Sequence, residues 1–372
     1  MVHAGRRGEG YAQTSGGVLR WHLEHSDQLK GGRSAPTNVT KVALSVAPKD
    51  FAGRDQRTFY HRGVGTNRGE RIRGGAFGFG LSRNVRDTYR FLVQAFEPGD
   101  ELFFFGFSRG AFTARSTVGF VRNCGILRRE HAGRVDEAYA FYRSRRSRTH
   151  PQSIEAQLFR RSYSYETRIR FIGVWDTVGA LGIPLNGLPL VNLLNRRWQF
   201  HDTDLSTTVD AAFQALAIDE KRRPFQPTIW KQQANAVDQR LEQVWFAGDH
   251  SDVGGGYPDP ALAEIALRWM VDRASACGLE FQADAFAQLP PSGGETLRHT
   301  GRYIAPDALG QLHKSRTGLY RLRPPLVRNL GVIDYPHEYV ASSAIERRLR
   351  MPAYAPPGLV TYLDQPHQVT QV

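Results

Sequence analysis

The chain has 372 residues, 41% of them hydrophobic and 23% charged, which fits one large α/β domain with insertions, or two domains, and excludes wholesale disorder. Its net charge of +13 is nearly all arginine spread along the chain, with no helix-turn-helix, zinc-finger or RNA-binding aromatic pattern beside it, so a nucleic-acid partner is not expected and a transient contact with an anionic membrane surface is the physical alternative. No apolar run approaches the ~20 residues that span a bilayer, and residues 1–25 lack a signal-peptide core, which makes the cytoplasm the default location.

Residues 1–35 are rich in Gly, Ser, Arg and His without a lasting period. They are expected to be an atypical, poorly ordered segment apart from a strand at Gly17–Leu23. From there, Thr37–Val46 reads as a helix start followed by an apolar run, and Arg57–His61 as a short strand ending at Gly63-Val64-Gly65. Residues 74–80 (GGAFGFG) read as a glycine loop; their spacing is not that of a dinucleotide-binding turn, so no cofactor is expected. Leu81, Val85, Tyr89, Leu92 and Phe96 recur at helical spacing, and Pro98-Gly99-Asp100 stops that helix.

Glu101–Phe107 (ELFFFGF) is a continuous apolar run too short for a buried helix, so a central parallel strand, and Gly110–Leu127 reads as the helix after it. Arg168–Trp175 and Leu241–Ala247 read as further buried strands, and Pro260–Ala274 as a helix with proline in its first turn. Alternating strands and helices predict an α/β fold with a mainly parallel central sheet and helices on both faces. On this reading residues 36–285 form the catalytic domain, with a helical insertion over about 184–240. Residues 286–372 form an irregular C-terminal extension packed on it. Cys124 and Cys277 have no partner at metal-ligand or redox spacing and read as small buried residues.

The chemistry centres on Gly106-Phe107-Ser108-Arg109-Gly110, a G-x-S-x-G motif. Alone the pattern is weak, but here it joins the most apolar strand to a helix, as a nucleophile elbow requires. Gly106 and Gly110 remove the Cβ atoms that would clash in the turn. The helix N-terminus then faces any developing oxyanion, with the Arg109 N–H as the expected first donor. A serine needs a histidine base held by a carboxylate, in the chain order Ser, acid, His. Asp176 follows the strand RIRFIGVW and fits the acid place, although an Asp there could also cap the next segment. Of twelve histidines, only His250 directly follows a core strand after the serine. Asp249 and Asp252 flank it as possible support. Asp249, His250 and Asp252 could alternatively ligate a divalent metal, which would make a metal-dependent phosphoesterase.

Five blocks in fixed order carry a family resemblance: GGAFGFGLSRNVRDTYRFL, EPGDELFFFGFSRGAFTARSTVGFVRNCGIL, FIGVWDTVGALGIP, AFQALAIDEKRRPF and WFAGDHSDVGGGY. Together, over about residues 36–275, the chain resembles the DUF2235 family, whose catalytic domain is shared with Tle1-type phospholipase effectors of type VI secretion. The resemblance implies an α/β-hydrolase fold and a lipase or esterase acting on a lipid or phospholipid ester. Export by a specialised secretion system is the alternative to the default cytoplasmic location. By motif, Ser108 matches the family nucleophile, and Asp176 and His250 match the acid and base.

Three departures accompany it. The family's opening Asp-Gly-Thr-Trp-Asn-like motif is absent. Gln214 stands where the family has His, and Val340-Ala341-Ser342-Ser343-Ala344 lacks the His of a later block. The missing first motif predicts that residues 17–24 fill the vacant strand slot imperfectly, or that the slot is empty. It also leaves open a catalytically weak relative serving as an interaction module.

Overall fold

The computed structural model describes residues 18–23, 29–30, 33–61, 76–144, 146–178, 204–288, 303–322, 324–332 and 337–372. Among them, eight strands form one sheet: β1 Val18–Leu23, β2 Gln56–His61, β3 Glu101–Phe107, β4 Ile169–Trp175, β5 Val209–Ala217, β6 Arg240–Phe246, β7 Glu338–Ala341 and β8 Val369–Thr370. They run in the order β8-β7-β6-β5-β4-β3-β1-β2, and every neighbouring pair is parallel. The helices are α1 Asn38–Ser45, α2 Ala76–Ala95, α3 Arg109–Cys124, α4 Val135–Arg143, α5 Ile154–Tyr163, α6 His250–Gly254, α7 Ala261–Ala276, α8 Ser342–Arg350 and α9 Pro357–Leu363.

The period-2 alternation of strand side chains divides the core into two faces. Leu102 and Phe104 of β3 join Ile172 and Val174 of β4 against Val85, Tyr89 and Leu92 of α2 and Val118 and Val121 of α3. Phe103, Phe105 and Phe107 point the other way and join Phe171, Trp175 and Phe213 against α1 and α7. Each buried phenylalanine contributes about 1.5–3 kcal/mol, so β3, buried on both faces, anchors the sheet on which the serine elbow sits. On the second face α1 and α7 are joined by a buried ion pair, Lys41 Nζ to Glu264 Oε1 at 2.8 Å. The Asn38 amide adds bonds to the carbonyls of Val253 and Ala263, both 2.9 Å.

Four sequence expectations differ from what is observed, or extend it. Val18–Leu23 occupies the slot between β2 and β3, with all six residues in parallel register on both sides. Residues 1–17, 24–28, 31–32 and the Gly63-Val64-Gly65 loop lie outside the described residues. The expected glycine loop at 74–80 is, from Ala76 on, the start of α2. Two glycines cost about 1 kcal/mol each in a helix, an amount that packing of the α2 apolar stripe outweighs. The helical insertion expected over 184–240 is corrected by β5, which lies in the middle of the sheet. Its alanine-rich sequence has little strand preference, and pairing with β4 and β6 on both edges imposes the extended form. The remainder of that stretch up to residue 203 lies outside the described residues. From Glu338 on, the C-terminal extension is regular rather than irregular: it adds β7 and β8 to the sheet and packs α8 and α9 beside them around Trp245 and Val340. Strands of four and two residues are too short to leave a readable alternation.

Candidate active site

Three loops meet at the C-terminal edge of the sheet, after β3, β4 and β6. Ser108 follows β3 with φ 56° and ψ −118°, a left-handed backbone that a non-glycine residue adopts at a cost. Its N–H donates to the Trp175 carbonyl at 3.1 Å, and its carbonyl accepts from Phe112 N at 3.2 Å. Gly106 makes the sharp turn possible: a Cβ there would sit 2.6 Å from Ala111 N and from the Gly110 carbonyl oxygen. Gly110 is the second residue of α3 and Arg109 the first, so the Arg109 N–H lies at the positive end of the helix.

Asp176 follows β4, also with positive φ (39°), and is fully buried. His250 is the first residue of the short helix α6, directly beyond β6. The three side chains form one chain of hydrogen bonds. His250 Nε2 lies 2.7 Å from Ser108 Oγ, and His250 Nδ1 lies 2.5 Å from Asp176 Oδ2. The imidazole is held between two rings, Phe107 tilted at 4.5 Å and Phe225 edge-on at 4.9 Å between centroids.

Asp249 and Asp252 build the turn that presents His250. Asp249 caps α6: its Oδ1 accepts from Ser251 N at 2.9 Å and Asp252 N at 3.1 Å. Asp252 Oδ2 answers by accepting from Asp249 N at 3.0 Å, a reciprocal capping box. The Tyr257 hydroxyl donates to Asp249 Oδ2 at 2.9 Å, and His313 Nδ1 lies 2.6 Å from Asp252 Oδ1. In this arrangement the carboxylates of Asp249 and Asp252 serve the capping box, Tyr257 and His313, and the two ring nitrogens of His250 face Ser108 and Asp176. Burial first, then the neighbouring Asp249 charge, pushes the Asp252 carboxyl up to about 6. Glycines close the loop: Gly248 has φ +116°, and a Cβ on Gly254 would lie 2.2 Å from the Phe107 ring.

One contributor to this site left no signal in the sequence. Arg328, from the segment before β7, is fully buried on Asp176. Its Nη1 is 2.5 Å from Oδ1 and its Nη2 3.0 Å from Oδ2 of that carboxylate. Burial alone would raise the Asp176 carboxyl, but the Arg328 charge and then the His250 hydrogen bond overcome it and hold Asp176 well below the usual carboxylate range. Glu220 and Arg222 of the IDEKRRPF block lie nearby as a two-pronged pair, at 3.0 and 2.7 Å, with the guanidinium 3.5 Å above the Phe225 ring. Gln214, where the family has His, binds the Thr228 carbonyl and Arg115. Val340-Ala341-Ser342 ends β7 and begins α8. Among the described residues, neither the Gln214 side chain nor Val340–Ser342 bonds to Ser108, His250 or Asp176; next to Gln214, the Ala215 carbonyl accepts from Asp176 N at 2.7 Å and Ala217 N donates to Asp176 Oδ1 at 3.1 Å.

The model of a family described as the catalytic domain of Tle1-like phospholipase effectors of type VI secretion matches residues 24–273. A 156-residue stretch is 31% identical to the uncharacterized protein YEL023C of Saccharomyces cerevisiae, covering 40% of this chain and 21% of that protein. Among solved structures, an uncharacterized protein from Pseudomonas aeruginosa aligns over 78% of this chain and 49% of its own, at 16% identity and a TM-score of 0.45. A Tle1 effector bound to the VgrG spike of the type 6 secretion system aligns over 66% of this chain and 52% of its own, at 18% identity and a TM-score of 0.38. The chain therefore spans about a fifth of the yeast relative and about half of each of these two solved chains.

Proposed function

Since this chain belongs to the Tle1-like family of type VI secretion phospholipase effector catalytic domains, we propose that it is a serine hydrolase of lipid carboxylic esters, with Ser108 as nucleophile, His250 as base and Asp176 as the acid that orients it. The observation that carries this reading is the unbroken chain Ser108 Oγ, His250 Nε2, His250 Nδ1, Asp176 Oδ2, with spacings of 2.7 and 2.5 Å.

On this reading His250 Nε2 takes the Ser108 proton as Oγ attacks the ester carbonyl. Asp176 keeps the other ring nitrogen protonated and stabilises the imidazolium. The negative charge on the tetrahedral oxygen is met by the Arg109 N–H at the start of α3, where the helix dipole adds to it. His250 then returns the proton to the leaving alcohol, and water repeats the sequence on the acyl-serine. Phe107 and Phe225, packed on the imidazole, keep bulk water from its faces. Phospholipid is the substrate class to which the family points, and export through a type VI machine is the delivery route. No helix among the described residues is long and apolar enough to cross a membrane.

The test is covalent labelling by a fluorophosphonate probe, together with hydrolysis of short- and long-chain phospholipid esters. The wild-type chain is expected to label at one serine and Ser108→Ala not at all. Labelling that persists in Ser108→Ala, or lipid turnover insensitive to that change, would overturn the reading.

A further inference from the structure

Arg328 is a costly residue to bury. Both its Nη atoms bind Asp176, and they also donate to the carbonyls of Ala217 at 2.7 Å and Phe225 at 2.5 Å. Its Nε is buried with no acceptor among the described residues. The surrounding chain holds it in place. Leu326 N donates to the Lys221 carbonyl, and Gly358 of α9 passes so close that a Cβ there would strike the Arg328 carbonyl oxygen. This segment lies beyond residues 24–273, the part matched by the family model.

The charged groups around His250 can be named from each side. Asp176 faces it from the end of β4 with Arg328 on the same carboxylate, and Glu220 faces it while paired with Arg222. Asp249 and Asp252 lie on its own helix, with Tyr257 on the first and His313 on the second. Among these, only Arg328 shares the carboxylate that touches the ring. A carboxylate gripped by a planar guanidinium through two oxygens is fixed in orientation. It also offers the imidazolium less net negative charge than a lone carboxylate would.

We infer that Arg328 is a positioning residue for the reaction: it locks Asp176 in the orientation that holds His250, and it offsets part of the Asp176 charge that the protonated ring meets. The inference rests on the serine-hydrolase reading above. It further means that the site is completed by chain outside the family-matched region.

The experiment uses the full chain and measures fluorophosphonate labelling rate from pH 5 to 9 for wild type, Arg328→Met and Arg328→Lys, with circular dichroism on each. In Arg328→Met the acid limb of the rate profile is expected to move up by roughly one pH unit, and the plateau to fall by about 100-fold as Asp176 loses its fixed orientation. Arg328→Lys keeps the charge without the fork, so its limb should stay near that of wild type while its plateau falls. A folded Arg328→Met whose acid limb coincides with that of wild type overturns the inference. If Arg328→Met does not fold, Arg328→Lys decides: wild-type rates across the whole range overturn it, and a lowered plateau on an unmoved limb supports it. A wild-type chain that does not label, or labels equally as Ser108→Ala, fails the underlying reading and takes this inference with it.

Discussion

Replacing Asp176 with asparagine should be a structural lesion as well as a catalytic one. The carboxylate accepts from His250 Nδ1, from both Nη atoms of Arg328 and from Ala217 N at 3.1 Å, with no exposure to water. An asparagine in its place would keep one acceptor and turn a donor toward a guanidinium or an imidazole N–H. It would leave Arg328 as a buried charge without its counter-charge. Removing one partner of a buried ion pair costs about 3–5 kcal/mol, so Asp176→Asn should lower the unfolding free energy by about that amount at pH 7. The sign with pH follows from the depressed Asp176 carboxyl. Its contribution is fully present above the ordinary value of 3.8 and is lost as pH falls toward the folded-state value, so the gap to wild type should narrow below about pH 4. Turnover should fall as well, by about 10⁴ if the cost resembles that of the same change in a serine protease triad. Urea unfolding of wild type, Asp176→Asn, Arg328→Met and the double variant measures the first effect, and the pair should be strongly non-additive. A folded Asp176→Asn that unfolds at the wild-type midpoint with an unchanged urea slope would refute the reasoning. So would a double variant in which the two losses simply add.

Two further changes follow from the geometry. Gly254→Ala puts a Cβ 2.2 Å from the Phe107 ring, which itself packs on His250; a loss of about 1–3 kcal/mol and slower fluorophosphonate labelling are expected, and a wild-type melting profile would show that Phe107 has room to move. Asp252, whose carboxyl is raised to about 6 by burial and then by Asp249, should make stability decline as pH rises from about 4 to about 6, because the folded chain binds the extra proton there; Asp252→Asn should flatten that slope in urea titrations, and an unchanged slope would place its origin elsewhere.

Much of this molecule could be read from sequence because local physics determined it. From Leu102 to Phe107 ELFFFGF is short and uninterruptedly apolar, so it reads as a strand covered on both faces. The stripe from Leu81 to Phe96 has helical period, so it becomes most of α2. Where such a strand runs through Gly106 and Gly110 into a helix, Ser108 must stand at the junction. Asp176 and His250 were legible as the polar residues that directly follow buried strands. Other features depended on neighbours distant in the chain. VDAAFQALA carries little strand preference of its own and is extended because β4 and β6 claim both its edges. Val18–Leu23 becomes an inner strand only by pairing with β2 and β3. Arg328 is one of many arginines, with no period, cap or motif to mark it. Its role comes from meeting Asp176 across 152 positions of sequence. Hydrophobic period and glycine placement act within a few residues, so a sequence displays them. Charge pairing in a buried site acts through space, and only the folded chain decides which arginine arrives there.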